Sequence, residues 1–262
     1  MKPGKGTVAR VIELLKYIAE SENPSSIKDL SESLNLPPTT VHRLINQLVN
    51  HGFAERSSER RYRAGKEFSR IGALASQKIE LVNYVTPIMH GVVEACDETC
   101  LLGIYLPTSS SMMFVHKLDS TSLLRYQPQL FKSRSIAWGA SGRAILAWLP
   151  HNPMLRAINT APPSPATGIK LPTLDAVLRQ LEIIRKNGYA ISNGQQTQGA
   201  IGLAAPIFNP IGQVIGDLCI TIPEYRFKKT AESQLARLLV DGCQLVSKQL
   251  KTSAPLEFPR SR

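Results

Sequence analysis

Long apolar runs are missing from this 262-residue sequence. A membrane-spanning helix needs ~20 consecutive apolar residues, and no stretch of the chain approaches that length. Residues 1–22 are interrupted by charged side chains at helical spacing, as in a surface helix. We therefore expect a cytoplasmic protein that has no membrane partner.

The motifs of common enzyme classes are also missing. The sequence has no phosphate-binding loop, no GxGxxG fingerprint and no HExxH metal motif. The segment GASGR at 139–143 resembles a nucleophile elbow, but Arg143 stands where that motif requires glycine. His90 and His116 lie in apolar patterns, which favours hydrogen-bonded core histidines over catalysts. We expect no enzyme activity and no cofactor, and a small-molecule-processing enzyme is the alternative.

The four cysteines form no CxxC pair. Cys96 and Cys100 are the one close pair, and they lie within a helical pattern. Free buried thiols are the simplest interpretation, so we expect no metal site.

The net charge of +11 and the pI near 9.7 favour an anionic partner, and nucleic acid is the commonest one for a basic protein. The surplus is spread along the chain, because residues 1–66 hold 11 basic and 7 acidic side chains, a balance of 11 − 7 = +4. Charge therefore permits DNA binding and does not prove it.

Apolar periodicity near the N-terminus predicts three helices. The first runs from near Thr7, with apolar residues at three- and four-residue steps up to Ile18. Ser26 begins a second helix of about two turns, and Pro37-Pro38 begins a third, because proline suits a first helical turn. Two short helices joined by a tight turn are typical of a helix-turn-helix, and a plain helical hairpin or a protein-interaction module remains the alternative.

The outward face of the third helix has side chains suited to base or phosphate contacts. We predict that this face binds double-stranded operator DNA. Its members are Thr39, Thr40, His42, Arg43 and Gln47.

Two short strands follow the third helix and predict a wing. FAER at 53–56 and RYRA at 61–64 flank the polar turn 57–60. Arg60 and Arg61 lie at its tip, within reach of phosphates or a minor groove, although a solvated hairpin tip would look the same.

These segments resemble the isocitrate lyase regulator (IclR) family of bacterial transcription factors. The resemblance lies in VARVIELLKYIAE, SIKDLSESLNLPPTTVHRLINQLVNHGFAER and RYRAGKEFSRIGALA, and it continues through SGRAILAWLP, IRKNGYAIS and AAPIFNPIGQVIGDLCIT. It implies an α+β protein with a winged helix-turn-helix, a linker helix and a GAF- or profilin-like effector-binding domain that has a curved antiparallel sheet. It implies a transcriptional regulator, either repressor or activator, that responds to a small-molecule effector.

The predicted domains are a DNA-binding domain at 1–65, linker helices at 66–97, an effector domain at 98–252 and a flexible tail at 253–262. Pro87 suggests two linker helices rather than one rod. In the family this neighbourhood contributes to dimerisation, so we expect a homo-oligomer, either a dimer or a dimer of dimers, while an intramolecular helix is the alternative.

Strand patterns at CLLGIYLP, MMFVHKLD and LLRYQP predict a three-stranded meander after Cys100. A helix at LDAVLRQLEIIRKNG is expected to end at Gly188. The strands GLAAPIFNP and QVIGDLCITI, joined by a turn at 209–212, and a last helix complete the domain.

The resemblance places an effector pocket at four separate segments. Glycines there let a ligand approach backbone N–H groups, and small polar side chains surround them. The family commonly has glutamate at Gln195 and Pro-Leu-His at residues 135–137, and losing the acid favours an anionic ligand, so we expect a small organic acid or an aromatic compound. The predicted effector-binding residues are Trp138, Gly139, Ala140, Ser192, Gln195, Gly202, Cys219 and Thr221.

Overall fold

A computed structural model describes residues 6–57, 59–77 and 79–252. The chain forms two compact units that divide between Ile79 and Glu80. This division cuts through the predicted linker at 66–97. The predicted tail at 253–262 lies outside the described residues.

The first unit has three helices, a two-stranded hairpin and a fourth helix. Ser26 and Asp29 form a reciprocal capping box that starts the second helix. Leu14, Leu30 and Ile45 are fully buried where the first three helices meet. The elements are α1 (Thr7–Glu20), α2 (Ile27–Leu34), α3 (Pro38–Asn50), β1 (Ala54–Arg56), β2 (Tyr62–Ala64) and α4 (Lys66–Gln77).

The second unit is built on a six-stranded antiparallel sheet of order β5-β4-β3-β8-β7-β6. Helices α5 and α9 pack together and α9 packs on β7, while α6 packs on β6, β7 and β8. The elements are α5 (Glu80–Cys96), β3 (Thr99–Leu106), β4 (Ser111–Leu118), β5 (Arg134–Ser135), α6 (Gly139–Leu146), α7 (His151–Asn159), α8 (Leu174–Asn187), β6 (Ala190–Asn193), β7 (Ala200–Phe208), β8 (Val214–Pro223), a 3-10 turn (Lys229–Ala231) and α9 (Glu232–Thr252).

Pro87 does not separate two helices as predicted. It lies inside α5, and the two helices are α4, which ends at Gln77, and α5, which begins at Glu80. Proline removes one backbone donor, which leaves the Asn83 carbonyl without its helical partner. Asn83 and Pro87 are both exposed, so water is available to that carbonyl and the helix continues.

The strand predicted at LLRYQP, residues 123–128, is absent. The Asp97 carboxylate accepts hydrogen bonds from the Ser120 and Thr121 hydroxyls, which holds the chain in an irregular path before this segment. Leu123 is 95% exposed, so the segment has no core face to bury. The third strand of the meander is instead β5, which pairs with β4.

Local capping predictions are confirmed where one residue decides the geometry. Gly188 ends α8 with a φ of 79°, a conformation that glycine adopts without strain. Helix α7 and strand β6 have no counterpart among the predicted elements.

Candidate DNA-binding surface and effector pocket

The exposed face of α3 is the candidate DNA-binding surface. Val41, Leu44, Ile45 and Leu48 are buried on the opposite face and fix the helix on its unit. The predicted residues Thr39, His42, Arg43 and Gln47 are exposed and Thr40 is half-buried. These polar side chains therefore lie on the solvent-facing side of α3, as predicted.

Contacts within this face are few. Asn46 Nδ2 lies 3.3 Å from His42 Nδ1, which orders the middle of the helix surface. Among the described residues Arg43 has no ion-pair or hydrogen-bond partner. A guanidinium without an internal partner keeps all its donors for an anionic or base-edge acceptor.

The two wing arginines have different surroundings. Arg60 is exposed in the hairpin turn with a φ of 57°. Arg61 instead turns back onto the unit, where its Nη1 donates to the Pro24 carbonyl at 3.0 Å and lies 3.6 Å from Asp29 Oδ2. The Ser26 backbone and hydroxyl, followed by Arg61, hold the Asp29 pKa below its ordinary value. Arg61 therefore also serves to anchor the wing to α2.

A cavity lies in the second unit between the sheet and the start of α6. Its volume is about 60 Å³ for a water-sized probe. Seven of the eight predicted effector residues line it, namely Trp138, Gly139, Ala140, Ser192, Gly202, Cys219 and Thr221.

Gln195, the eighth predicted residue, does not line the cavity. Its Oε1 accepts a hydrogen bond of 3.2 Å from the Gly139 N–H, and its carbonyl accepts one from the Ser164 hydroxyl at 2.6 Å. Gln196 lines the cavity in its place. Gln195 thus occupies the Gly139 N–H, a backbone donor at the N-terminus of α6.

Gly202 packs closely against two neighbouring elements. A Cβ there would lie 3.2 Å from the Ala140 Cβ and 3.3 Å from Ser192 Oγ. These three residues lie on β7, α6 and β6, so a side chain larger than methyl at this position would enter the cavity.

Trp138 forms a fixed wall of the cavity. Trp138 is 5% exposed, and its Nε1 donates to the Pro162 carbonyl at 2.7 Å. The indole donor is therefore satisfied by the protein, and only the apolar part of the ring is presented to the cavity.

Arg134 was missed by the sequence analysis. It lines the cavity from β5, its Cζ lies 5.4 Å from the centroid of the Phe114 ring, and its Nε has no partner among the described residues. Burial lowers its pKa from the ordinary value, yet an arginine remains charged. The short strand that carries it has no periodic pattern that would have marked it.

Asp217 was also missed. It is fully buried on β8, and neither carboxylate oxygen has a hydrogen-bond partner among the described residues. Burial raises its pKa to about 7, and the nearby Ser141 hydroxyl offsets part of that rise although the two groups do not form a hydrogen bond. Burial, followed by the charge of Asp217, raises the pKa of Cys219 to about 12, so this thiol is protonated.

The two histidines differ from the prediction of hydrogen-bonded core residues. His90 is exposed on α5. His116 is half-buried on β4, its Nε2 has no partner among the described residues, and burial lowers its pKa.

Of the helices in the described part of the chain, none has the length and apolarity to cross a membrane.

The combination of a helix-turn-helix unit with a second unit that holds a cavity defines a class, the DNA-binding transcriptional regulators. Comparison with protein families makes the assignment specific. Residues 7–58 match the IclR helix-turn-helix domain, and residues 73–248 match the bacterial transcriptional regulator IclR C-terminal domain. The chain belongs to the IclR family of bacterial transcriptional regulators, as the sequence resemblance predicted.

Relatives align over nearly the whole chain. The chain is 24% identical over 245 residues to the transcriptional regulator KdgR of Escherichia coli K12, covering 93% of this chain and 92% of that protein. It is 23% identical over 255 residues to the E. coli K12 repressor AllR, with coverage of 96% and 92%.

Solved structures confirm the predicted fold. A regulator from Silicibacter sp. TM1040 matches with a TM-score of 0.82 at 23% identity, covering 97% of this chain and all of that one (100%). An IclR homologue from Microbacterium hydrocarbonoxydans, crystallised with 4-hydroxybenzoate, matches with a TM-score of 0.75 at 20% identity, covering 95% and 100%.

Proposed function

We propose that this regulator binds a specific operator through α3 and the wing, and that a small-molecule effector in the cavity of the second unit changes its operator affinity. The observation that carries the proposal is the separation of the two sites. The exposed polar face of α3 lies in one unit, and the glycine-lined cavity lies in the other. Because such a regulator acts on chromosomal DNA, we propose a cytoplasmic location.

Base reading is assigned to the exposed face of α3. Thr39 and Thr40 lie in its first turn, where a recognition helix approaches base edges. Arg43 and Gln47 follow on the same face, and their types suit guanine and adenine edges. Arg60 is assigned to backbone phosphate, because phosphate contacts position a wing without reading sequence.

A homo-oligomer is part of the proposal. One winged domain covers a short half-site, and specificity against a genome requires at least two copies. Two-fold pairing predicts a palindromic operator whose half-sites are separated by about one helical turn or a multiple of it. A dimer and a dimer of dimers both satisfy this requirement.

The proposed effector is a small organic acid, with aromatic acids included. Arg134 supplies a positive charge to the cavity, and the faces of Trp138 and Phe114 supply apolar walls. The 4-hydroxybenzoate complex of the M. hydrocarbonoxydans homologue supports this class of ligand.

We propose no enzymatic role for the cavity. Nucleophilic catalysis needs an activated nucleophile beside a base, and the Cys219 thiol is held in its protonated form by burial. Ser141 Oγ has no hydrogen-bond partner among the described residues, and no histidine is among the described residues that line the cavity. A mobility shift on DNA together with assays of ligand turnover separates a regulator from an enzyme.

Protection mapping upstream of the neighbouring operon tests the function directly. We expect a protected palindrome and a dimer or larger species by light scattering. Uniform, sequence-independent protection would contradict operator recognition, and a strictly monomeric species on and off DNA would contradict the oligomer.

A further inference from the structure

Asp217 is a buried carboxyl that the fold itself does not use. Both of its oxygens lack a hydrogen-bond partner among the described residues, and no lysine, arginine or histidine of that set lies within ion-pair distance. Burying such a group without partners costs several kcal/mol in general. An alanine at this position would avoid that cost, so packing alone does not explain the acid.

The neighbouring strands leave room for this side chain. Asp217 pairs with Gly103 on β3 and with Pro206 on β7. A Cβ on Gly103 would lie 2.1 Å from Asp217 Oδ1, so only glycine leaves room for the carboxyl. The acid and the glycine therefore form a matched pair across the sheet.

The carboxyl lies directly behind the wall of the effector cavity. Side chains alternate along β8, so Asp217 shares the face of Cys219 and Thr221, which both line the cavity. A Cβ added to Gly103 would also lie 2.6 Å from the Met112 methyl, so this methyl and Asp217 Oδ1 lie near the same point. Met112 also lines the cavity. A methionine side chain has three rotatable bonds and adapts readily to a new neighbour.

A second unpartnered polar group lies beside it. Ser141 is 6% exposed, its Oγ has no hydrogen-bond partner among the described residues, and it lines the cavity from α6. The Ser141 hydroxyl on the cavity wall and the Asp217 carboxyl behind it thus both have unused acceptor capacity, while Arg134 lines the cavity from β5 with an unused donor.

We infer that Asp217, with Ser141, forms a hydrogen-bond-acceptor subsite that selects effectors bearing a hydroxyl or amino group in addition to their acid group. This inference rests on the proposed function and names the ligand class more narrowly. The acid group of the effector pairs with Arg134, and its donor group displaces the Met112 methyl to reach Asp217. A site built around a buried acceptor rejects analogues that lack the donor, because the acceptor is then left unpaired.

Matched ligand pairs test the inference on the full-length protein. The probes are benzoate against 4-hydroxybenzoate and 4-aminobenzoate, and propionate against 3-hydroxypropionate and 3-aminopropionate, measured by calorimetry and thermal shift. We expect the donor-bearing member of at least one set to bind at least about tenfold tighter than its parent acid. In Asp217→Ala this preference is expected to fall to about threefold or less, with Asp241→Asn on the exposed face of α9 as the charge-matched control.

Wild-type protein alone can overturn the inference. If no probe shows a preference for its donor-bearing form, the subsite is wrong, whether or not the variants fold. A preference that survives in both Asp217→Ala and Ser141→Ala would also overturn it. Mobility shifts on operator DNA from the same preparations keep the outcomes apart, because selective DNA binding without donor preference removes only the subsite.

Discussion

The two units of this regulator differ in the exposure of the polar side chains that we propose for binding. In the first unit the proposed binding groups lie on one helix face that is mostly exposed, and apolar side chains such as Leu14, Leu30 and Ile45 form the core beneath them. In the second unit the proposed binding groups are buried or half-buried between sheet and helix, and several have polar atoms without a hydrogen-bond partner in the described part of the chain. Exposed side chains on a DNA-binding helix are solvated before they bind, so the fold carries no penalty for them. The polar groups at a buried ligand site lack partners until a ligand supplies hydrogen bonds to them.

The largest expected effect concerns the buried acid of the second unit. The folded-state pKa of Asp217 is raised to about 7 from the ordinary 3.8, so an ionised carboxyl destabilises the fold. This penalty is absent below about pH 4, grows as pH rises toward 7 and is constant above it. Relative to Asp217→Asn, wild type should lose about 3 kcal/mol of unfolding free energy between about pH 5 and about pH 8.

Tryptophan fluorescence during denaturant unfolding measures this difference, because both tryptophans, Trp138 and Trp148, lie in the second unit. Asp241→Asn should follow the wild-type profile. Parallel profiles for wild type and Asp217→Asn would show that the carboxyl is solvated or paired, and the comparison of the two units would fail.

The next effect concerns base reading by the first unit. Arg43→Ala should lose about 1–3 kcal/mol of discrimination between operator and random DNA, because a bidentate contact to one base is removed. Arg179→Ala on the exposed face of α8 removes the same charge outside the first unit and should keep that discrimination. Mobility shifts on both DNAs at one salt concentration provide the measurement, and equal losses in the two variants would count against α3 as the reader.

A smaller effect should come from the N-terminal cap of α2. Ser26→Ala removes the side-chain acceptor of the Asp29 N–H and should cost about 1 kcal/mol of stability in the first unit. Thr173, the N-cap residue of α8, makes no side-chain capping bond, so Thr173→Ala is the control. Amide exchange in α2 would register the loss, and unchanged protection there would argue that the capping box is not formed in solution.

Sequence reasoning succeeded where the determinants are local. Amphipathic periodicity fixed the three helices of the first unit, and α3 has its buried and exposed faces as predicted. Gly188 at the end of α8 was predicted for the same reason, since one residue decides that geometry.

Prediction failed where distant residues meet. Gln195 contacts Gly139 across 56 positions, and its side chain caps a helix instead of lining the cavity. The Asp217 carboxyl has room only because Gly103 lies beside it, and the pairing of β3 with β8 places Gly103 there. Neither contact leaves a periodic pattern in the sequence.

The central claim is tested most directly by operator affinity, measured in wild type and in Gly202→Val. Each protein is measured with and without an organic acid that stabilises wild type in the thermal-shift assay. We expect the acid to change wild-type operator affinity by about 5- to 150-fold, equivalent to a coupling of about 1–3 kcal/mol. Gly202→Val should fill the cavity beside Ala140 and Ser192, so that ligand-free operator binding is kept and the response to the acid is lost. A Gly202→Val protein that responds to the acid as wild type does would contradict the assignment of this cavity to the effector.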